Sequence, residues 1–85
     1  MFLHLGQNTL VDDRTVIGVF DLDNSTVSKH TRAFLARAQR EDRVVSVSQE
    51  LPKSFVVCRD RDGDRVYLSQ LSPATLLRRA QGLEG

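Results

Sequence analysis

The sequence predicts an α+β domain of order β-β-α-β-β-β-α, a small sheet with two packed helices. Three observations carry the prediction. Val27, Thr31, Phe34, Leu35 and Ala38 recur at helical period in mid-chain. Apolar segments at 14–22, 43–48, 53–59 and 65–69 are short, β-branched and bounded by polar turns. Asp62-Gly63 and Ser72-Pro73 then mark a hairpin and a helix start near the end of the chain. At 85 residues this is one domain, 1–85, with no linker, repeat or low-complexity tract.

The elements follow in order. Residues 2–5 form a first strand ended by Gly6, with 9–11 a candidate continuation past a turn at 6–8. Residues 14–22 form the clearest early strand. Simple alternation points Val16, Gly18 and Phe20 one way and Ile17, Val19 and Leu22 mostly the other. A strand apolar on both faces lies inside a covered sheet or meets another subunit. Gly18 within it signals a bulge or a close backbone approach. Residues 21–25 hold helix caps, with Asn24 or Ser25 as the expected N-cap of a helix over 27–40. Its apolar stripe places Phe34 and Leu35 on the sheet and turns Lys29, Arg32 and Arg40 outward, with Arg37 flanking them. Strand 43–48 alternates Val45 and Val47 against polar neighbours. Strand 53–59 carries the continuous run Phe55, Val56, Val57, Cys58. Strand 65–69 buries Val66 and Leu68 on one face and Tyr67 on the other. Ser72 caps the second helix, Pro73 takes its first position, Leu76 and Leu77 face inward, and Gly82 ends it.

Composition excludes several classes. Twelve Lys+Arg against eleven Asp+Glu leave a net charge of +1, so there is no strong global field. The distribution is uneven. Residues 1–24 sum to −3, from Asp12, Asp13, Asp21 and Asp23 against Arg14, whereas residues 25–43 sum to +3. Most of the bases are Arg, the residue suited to forked contacts with phosphate. One cysteine makes no internal disulfide and fits a reducing cytoplasm. Residues 1–5 lack a basic leader, and no apolar run reaches membrane-spanning length, so neither a secretory signal nor a membrane partner is expected.

No catalytic set emerges. His4 and His30 have no Cys or second His at ligand spacing, and Cys58 reads as a buried strand thiol. The acidic run Asp60-Arg61-Asp62-Gly63-Asp64 fails the calcium-loop spacing, since its Gly is fourth and its twelfth residue is Leu71. No Gly-rich phosphate loop occurs. The expectation is a non-enzyme with no cofactor, no metal and no small-molecule substrate. What remains is the basic helix face. With four Phe, one Tyr and no Trp, stacking platforms for single strands are scarce, so double-stranded DNA is the nucleic acid expected.

Several segments together resemble a known family. They are Met1-Phe2-Leu3-His4-Leu5-Gly6, Val16-Ile17-Gly18-Val19-Phe20-Asp21 after Arg14, and Thr31-Arg32-Ala33-Phe34-Leu35. Pro52-Lys53-Ser54-Phe55-Val56-Val57 follows, then Val66-Tyr67-Leu68-Ser69-Gln70-Leu71-Ser72-Pro73-Ala74-Thr75-Leu76 with Arg78-Arg79-Ala80. In order and over nearly the whole chain, these resemble the bacterial extracellular matrix regulatory proteins RemA and RemB, and more nearly the RemB branch. The resemblance implies a cytoplasmic DNA-binding transcriptional regulator of biofilm-matrix genes. It also implies a fold like that of LytTR-type domains and a ring-like homo-oligomer. It implies phosphate contact by Arg14, which matches the basic residue opening the family's second strand. The adjacent loop arginines of RemA-like proteins fall near Glu50 and Leu51, leaving Lys53 as the nearest base. Lys29 and Arg32 complete the expected nucleic-acid-binding set. The rival expectation is an oligomeric scaffold of the same family without DNA binding.

Overall fold

A computed structural model describes residues 1–22 and 28–81 of the chain. The order is β1 (Phe2–Gly6), β2 (Thr9–Asp12), a single 3-10 turn (Asp13–Thr15), β3 (Val16–Asp21), α1 (Lys29–Arg40), β4 (Val44–Ser46), β5 (Ser54–Asp60), β6 (Gly63–Ser69) and α2 (Pro73–Ala80). The α+β class and both helices match expectation. The order differs by one strand. Residues 9–12 do not continue β1 but fold back on it as an antiparallel hairpin. Gln7 and Asn8 both take positive φ, 45° and 66°, as a two-residue hairpin turn of primed type requires.

The main sheet has four strands in the order β3-β5-β6-β4, and the β1–β2 pair stands apart from it. The sheet is mixed: β4 runs parallel to β6, while β3–β5 and β5–β6 are antiparallel. The β5–β6 turn is Arg61-Asp62, with Asp60 opposite Gly63 and Gly63 at φ 112°. Asp62-Gly63 therefore marked the hairpin, but both strands run closer to the turn than expected.

Three layers bury two small cores. On one face, Leu3, Leu5 and Val11 of the hairpin and Leu76 of α2 pack on Val56 and Cys58 of β5, together with Val47. On the other, Ala38 of α1 packs on Phe55, Val57 and Val66, joined by half-buried Phe34, Leu35, Val44 and Leu68. β5 lies between β3 and β6, so its unbroken run from Ser54 to Cys58 is buried on both sides. Cover thus comes from the hairpin as well as from two helices. The two buried serines are satisfied, whereas Gln70 Oε1 is buried without a partner. Ser69 Oγ donates to the Leu5 carbonyl at 2.8 Å, and Ser54 Oγ to that of Leu71 at 2.8 Å.

Three side-chain placements depart from simple alternation. The register of β3 against β5 slips between Val16 and Gly18, so Ile17 is an extra residue. Val16 and Val19 consequently face the hairpin core, and Gly18 and Phe20 face α1, so Val16 and Phe20 do not share a face. Along β4, Val44 and Val47 are the inward residues and Val45 is exposed, because regular strand ends at Ser46. On α2, Leu76 is buried and Leu77 is exposed, since adjacent helix positions turn by 100°.

The helix ends are explained locally. Ser28, rather than Asn24 or Ser25, caps α1: its Oγ accepts the Thr31 N–H at 3.0 Å. Asn24, Ser25 and Val27 lie outside the described residues. At the far end Asp42 takes φ 60°, and the Arg43 N–H reaches back to the Ala38 carbonyl at 2.9 Å, the closure a left-handed cap residue gives. Ser72 caps α2 with Pro73 in the first turn, and Gln81 closes it; Gly82 lies outside the described residues.

Candidate nucleic-acid interface

Arg14 sits in the 3-10 turn that joins β2 to β3. Asp12 caps that turn and accepts the Arg14 backbone N–H at 3.0 Å. The same carboxylate takes the guanidinium in a fork, Nη2 to Oδ2 at 2.7 Å and Nε to Oδ1 at 3.1 Å. These hydrogen bonds hold the Asp12 carboxyl well below the usual carboxylate range and push the Arg14 guanidinium up. Arg14 is exposed, yet it already grips an anion of its own chain.

Lys53 lies just before β5, beside the far end of β3. β3 and β5 run antiparallel, with Val16 opposite Cys58 and Asp21 opposite Ser54. The Leu22 N–H donates to the Lys53 carbonyl at 2.8 Å, and the Lys53 N–H donates to the Ser69 carbonyl at 2.8 Å. The length of β3, on the order of 20 Å of extended chain, therefore separates Arg14 from Lys53. The fold does not bring these two bases together.

Lys29 and Arg32 occupy the first turn of α1, both exposed. Arg40, also exposed, ends the helix about 16 Å further along its axis. Arg37, between them, pairs with Glu41 at 3.4 Å. Arg43, just past the helix, is part-buried: it pairs with Glu41 at 2.6 Å and donates to the Asp64 carbonyl at 3.1 Å. From Lys29 to Arg40 the helix holds four bases and no acid. A base at the first position opposes the helix dipole, and like charges three residues apart repel. This charge pattern lowers the stability of the isolated element. It is the kind of local cost that a binding surface retains.

The loop between β4 and β5 carries Glu50 and Leu51. Glu50 N–H donates to Ser48 Oγ at 3.0 Å, and Leu51 is 86% exposed. The loop thus presents a carboxylate and an apolar tip.

The residues considered for catalysis stay apart. Cys58 is buried in the hairpin-side core, and that burial pushes its thiol up, away from the thiolate form. His4 is exposed on β1, with Nδ1 3.3 Å from Arg79 Nη1 of α2. His30 is exposed on α1. Among the described residues no three His, Cys, Asp or Glu side chains gather as a metal-ligand set. None of their helices is long and apolar enough to cross a membrane.

Sequence reasoning missed two features. The Asp12–Arg14 fork was signalled by an acid two residues before the base in a polar turn. The exposed apolar face of the β1–β2 hairpin was signalled by the alternation of Phe2 and His4 with Leu3 and Leu5.

Residues 2–80 match the family described as extracellular matrix regulatory protein A-like. The chain is similar to extracellular matrix regulatory protein B of Bacillus subtilis (strain 168), with 35% identity over 81 residues, 95% of this chain and 91% of that protein. This likeness over nearly the whole length leads to one conclusion: the chain belongs to the RemA-like family of extracellular matrix regulatory proteins, and within it is RemB-like.

Proposed function

We propose that this RemB-like chain is a cytoplasmic, non-enzymatic regulator that binds double-stranded DNA as a homo-oligomer and controls extracellular-matrix genes. The observation that carries the reading is α1, which exposes Lys29, Arg32 and Arg40 on its outward face and holds no acid from Lys29 to Arg40, while Arg37 at the flank pairs with Glu41. Lys29 and Arg32 reach phosphates from this face, with Lys53 and Arg14 as further contacts at the two ends of β3. Such contacts are electrostatic and position the protein without reading bases. One chain neutralises few phosphates, so its own affinity is modest. Repetition of the face around an oligomer raises the effective concentration of each further contact.

The test is a duplex titration across a salt series with the full-length protein. The expected result is binding at low salt whose logarithm falls linearly with log salt, with a slope of about 0.9 per phosphate contacted. No binding to any duplex at low salt overturns the reading.

A second reading is favoured by the Glu50–Leu51 loop. There an acid and an 86% exposed leucine stand where the family resemblance puts arginines. On this reading the chain is an oligomeric scaffold or protein-interaction module without DNA affinity. The same titration, run beside a mass measurement, separates the two: an oligomer that ignores duplex is the scaffold.

A further inference from the structure

The outward surface of α1 has a pattern that packing does not explain. Among the described elements α1 alone packs on its face of the sheet, over β4 and β6, so it forms a ridge on that side. Phe34, Leu35 and Ala38 point into the core. Each residue turns the helix by 100°, so the line opposite the core runs through Lys29, Ala33, Ala36 and Arg40. All four are exposed. Arg32 and Gln39 border that crest on one side, and His30 and Arg37 on the other, again all exposed.

Charge therefore stands at the two ends of the crest, about 16 Å apart along the axis, and along its borders. The middle of the crest holds only two methyl groups. Alanine also favours the helix as such, so the alanines alone point to nothing. Their combination with cationic ends and borders does. The nearest acids stand at the foot of the helix and are paired: Glu41 with Arg37 and Arg43, and Asp64 with Arg59. Exposed Asp42 lies past the C-cap, beyond the crest. The major groove of B-form DNA is about 12 Å wide and about 8.5 Å deep, and it admits one α-helix. Bulk at the crest would hold such a helix off the base pairs, whereas two methyl groups let its backbone approach them and can meet thymine methyls. Long cationic side chains at the ends and borders then face the phosphates of the groove walls. Arg37, already paired with Glu41 at 3.4 Å, contributes least.

We infer that α1 lies lengthwise in the major groove of B-form DNA, with Ala33 and Ala36 against the base pairs and Lys29, Arg32 and Arg40 on the bordering phosphates. This inference rests on the duplex binding proposed above and adds the part of the duplex that α1 occupies. The same geometry excludes double-stranded RNA, because the A-form major groove is too deep and narrow to be entered.

The test measures binding of the full-length protein, at low salt, to a mixed-sequence DNA duplex and to an RNA duplex of the same sequence. It compares the wild type with Ala36→Leu and Ala36→Ser, with urea denaturation as the check on folding. Leucine adds bulk at the crest, leaves every charge in place and is close to alanine in helix propensity. Ala33→Leu is the second variant should Ala36→Leu misfold. The wild type is expected to prefer DNA to RNA by about tenfold or more, and the leucine variant to lose about tenfold or more of the DNA affinity. Ala36→Ser, which stays small, is expected to bind like the wild type. A leucine variant that binds DNA as the wild type does overturns the inference and leaves phosphate contact from the surface of the duplex standing. Equal affinity for the RNA duplex overturns it too, as does an equal loss in Ala36→Ser. A wild type that binds no duplex at all removes the proposed function, and the inference with it.

Discussion

Gly18 and Phe20 show how a single side chain can dictate its neighbour. The Phe20 ring stacks on Phe55, with centroids 4.8 Å apart and planes inclined by 16°. To do so it lies across Gly18, where an added Cβ would sit 2.5 Å from the ring. Gly18→Ala must therefore push the ring off Phe55. An aromatic pair is worth about 0.5–1.5 kcal/mol beyond its buried area, so the substitution is expected to cost about 1 kcal/mol. The cost belongs to the ring and not to the backbone. In a Phe20→Ala background the same change should be neutral or slightly stabilising, because alanine suits a strand better than glycine. A double-mutant cycle by urea denaturation checks this coupling. Additive effects would mean that Gly18 is fixed by something other than Phe20. Arg14 makes the complementary point about charge. Its fork with Asp12 is a finished local structure, so a phosphate there must compete with a carboxylate already in place.

At the scale of the element, α1 sets stability against binding. Its apolar side is ordinary, with buried Ala38 and half-buried Phe34 and Leu35 on the sheet. Its outward side places Lys29 at the first helical position, where an acid would serve the dipole better. Lys29→Glu is thus expected to raise the urea midpoint, by about 0.3–1 kcal/mol in stability. The same change should weaken duplex binding and lower the salt slope by about one. A variant both less stable and unchanged in binding would deny this division of labour. Much of the helix was legible because one period governs it: residues 31–38 gave the face, and Ser72-Pro73 gave the start of α2. The β1–β2 hairpin was less legible. Gln7 and Asn8 turn it with positive φ, and Gln announces that conformation far more weakly than Asn-Gly does. The bulge at Ile17 inverted the faces of β3 for a related reason. Alternation is read residue by residue, but an extra residue is visible only against its partner strand. The candidate site was legible as a set of bases, whereas their separation was not. Arg14 and Lys53 lie at opposite ends of β3 because β5 pairs with it antiparallel, and strand pairing is a long-range choice. The parallel placement of β4 beside β6 is another such choice.

For the whole molecule the governing fact is how little each face buries. The largest fully buried apolar side chains are Leu5, Leu76, Val56 and Val66, and the two cores are separated by a single sheet. Meanwhile Phe2, Leu10, Ile17 and Phe20 remain largely in water. A chain of this size gains only a small net stability from its own core. If copies cover these side chains for one another, assembly and folding are linked, and stability must depend on concentration. Each tenfold rise in protein concentration adds up to about 1.4 kcal/mol per chain to a large assembly. For a domain of this length that corresponds to a rise in Tm of several degrees, roughly 4–8 °C per kcal/mol. Calorimetry on the wild type over a hundredfold concentration range should therefore show a climbing Tm. Phe2→Glu and Ile17→Glu, which each put a charge on an exposed apolar face, should then show one low value throughout. A wild-type Tm that is high and independent of concentration would place the stability inside the single chain. The exposed apolar faces would then have no part in holding the fold together.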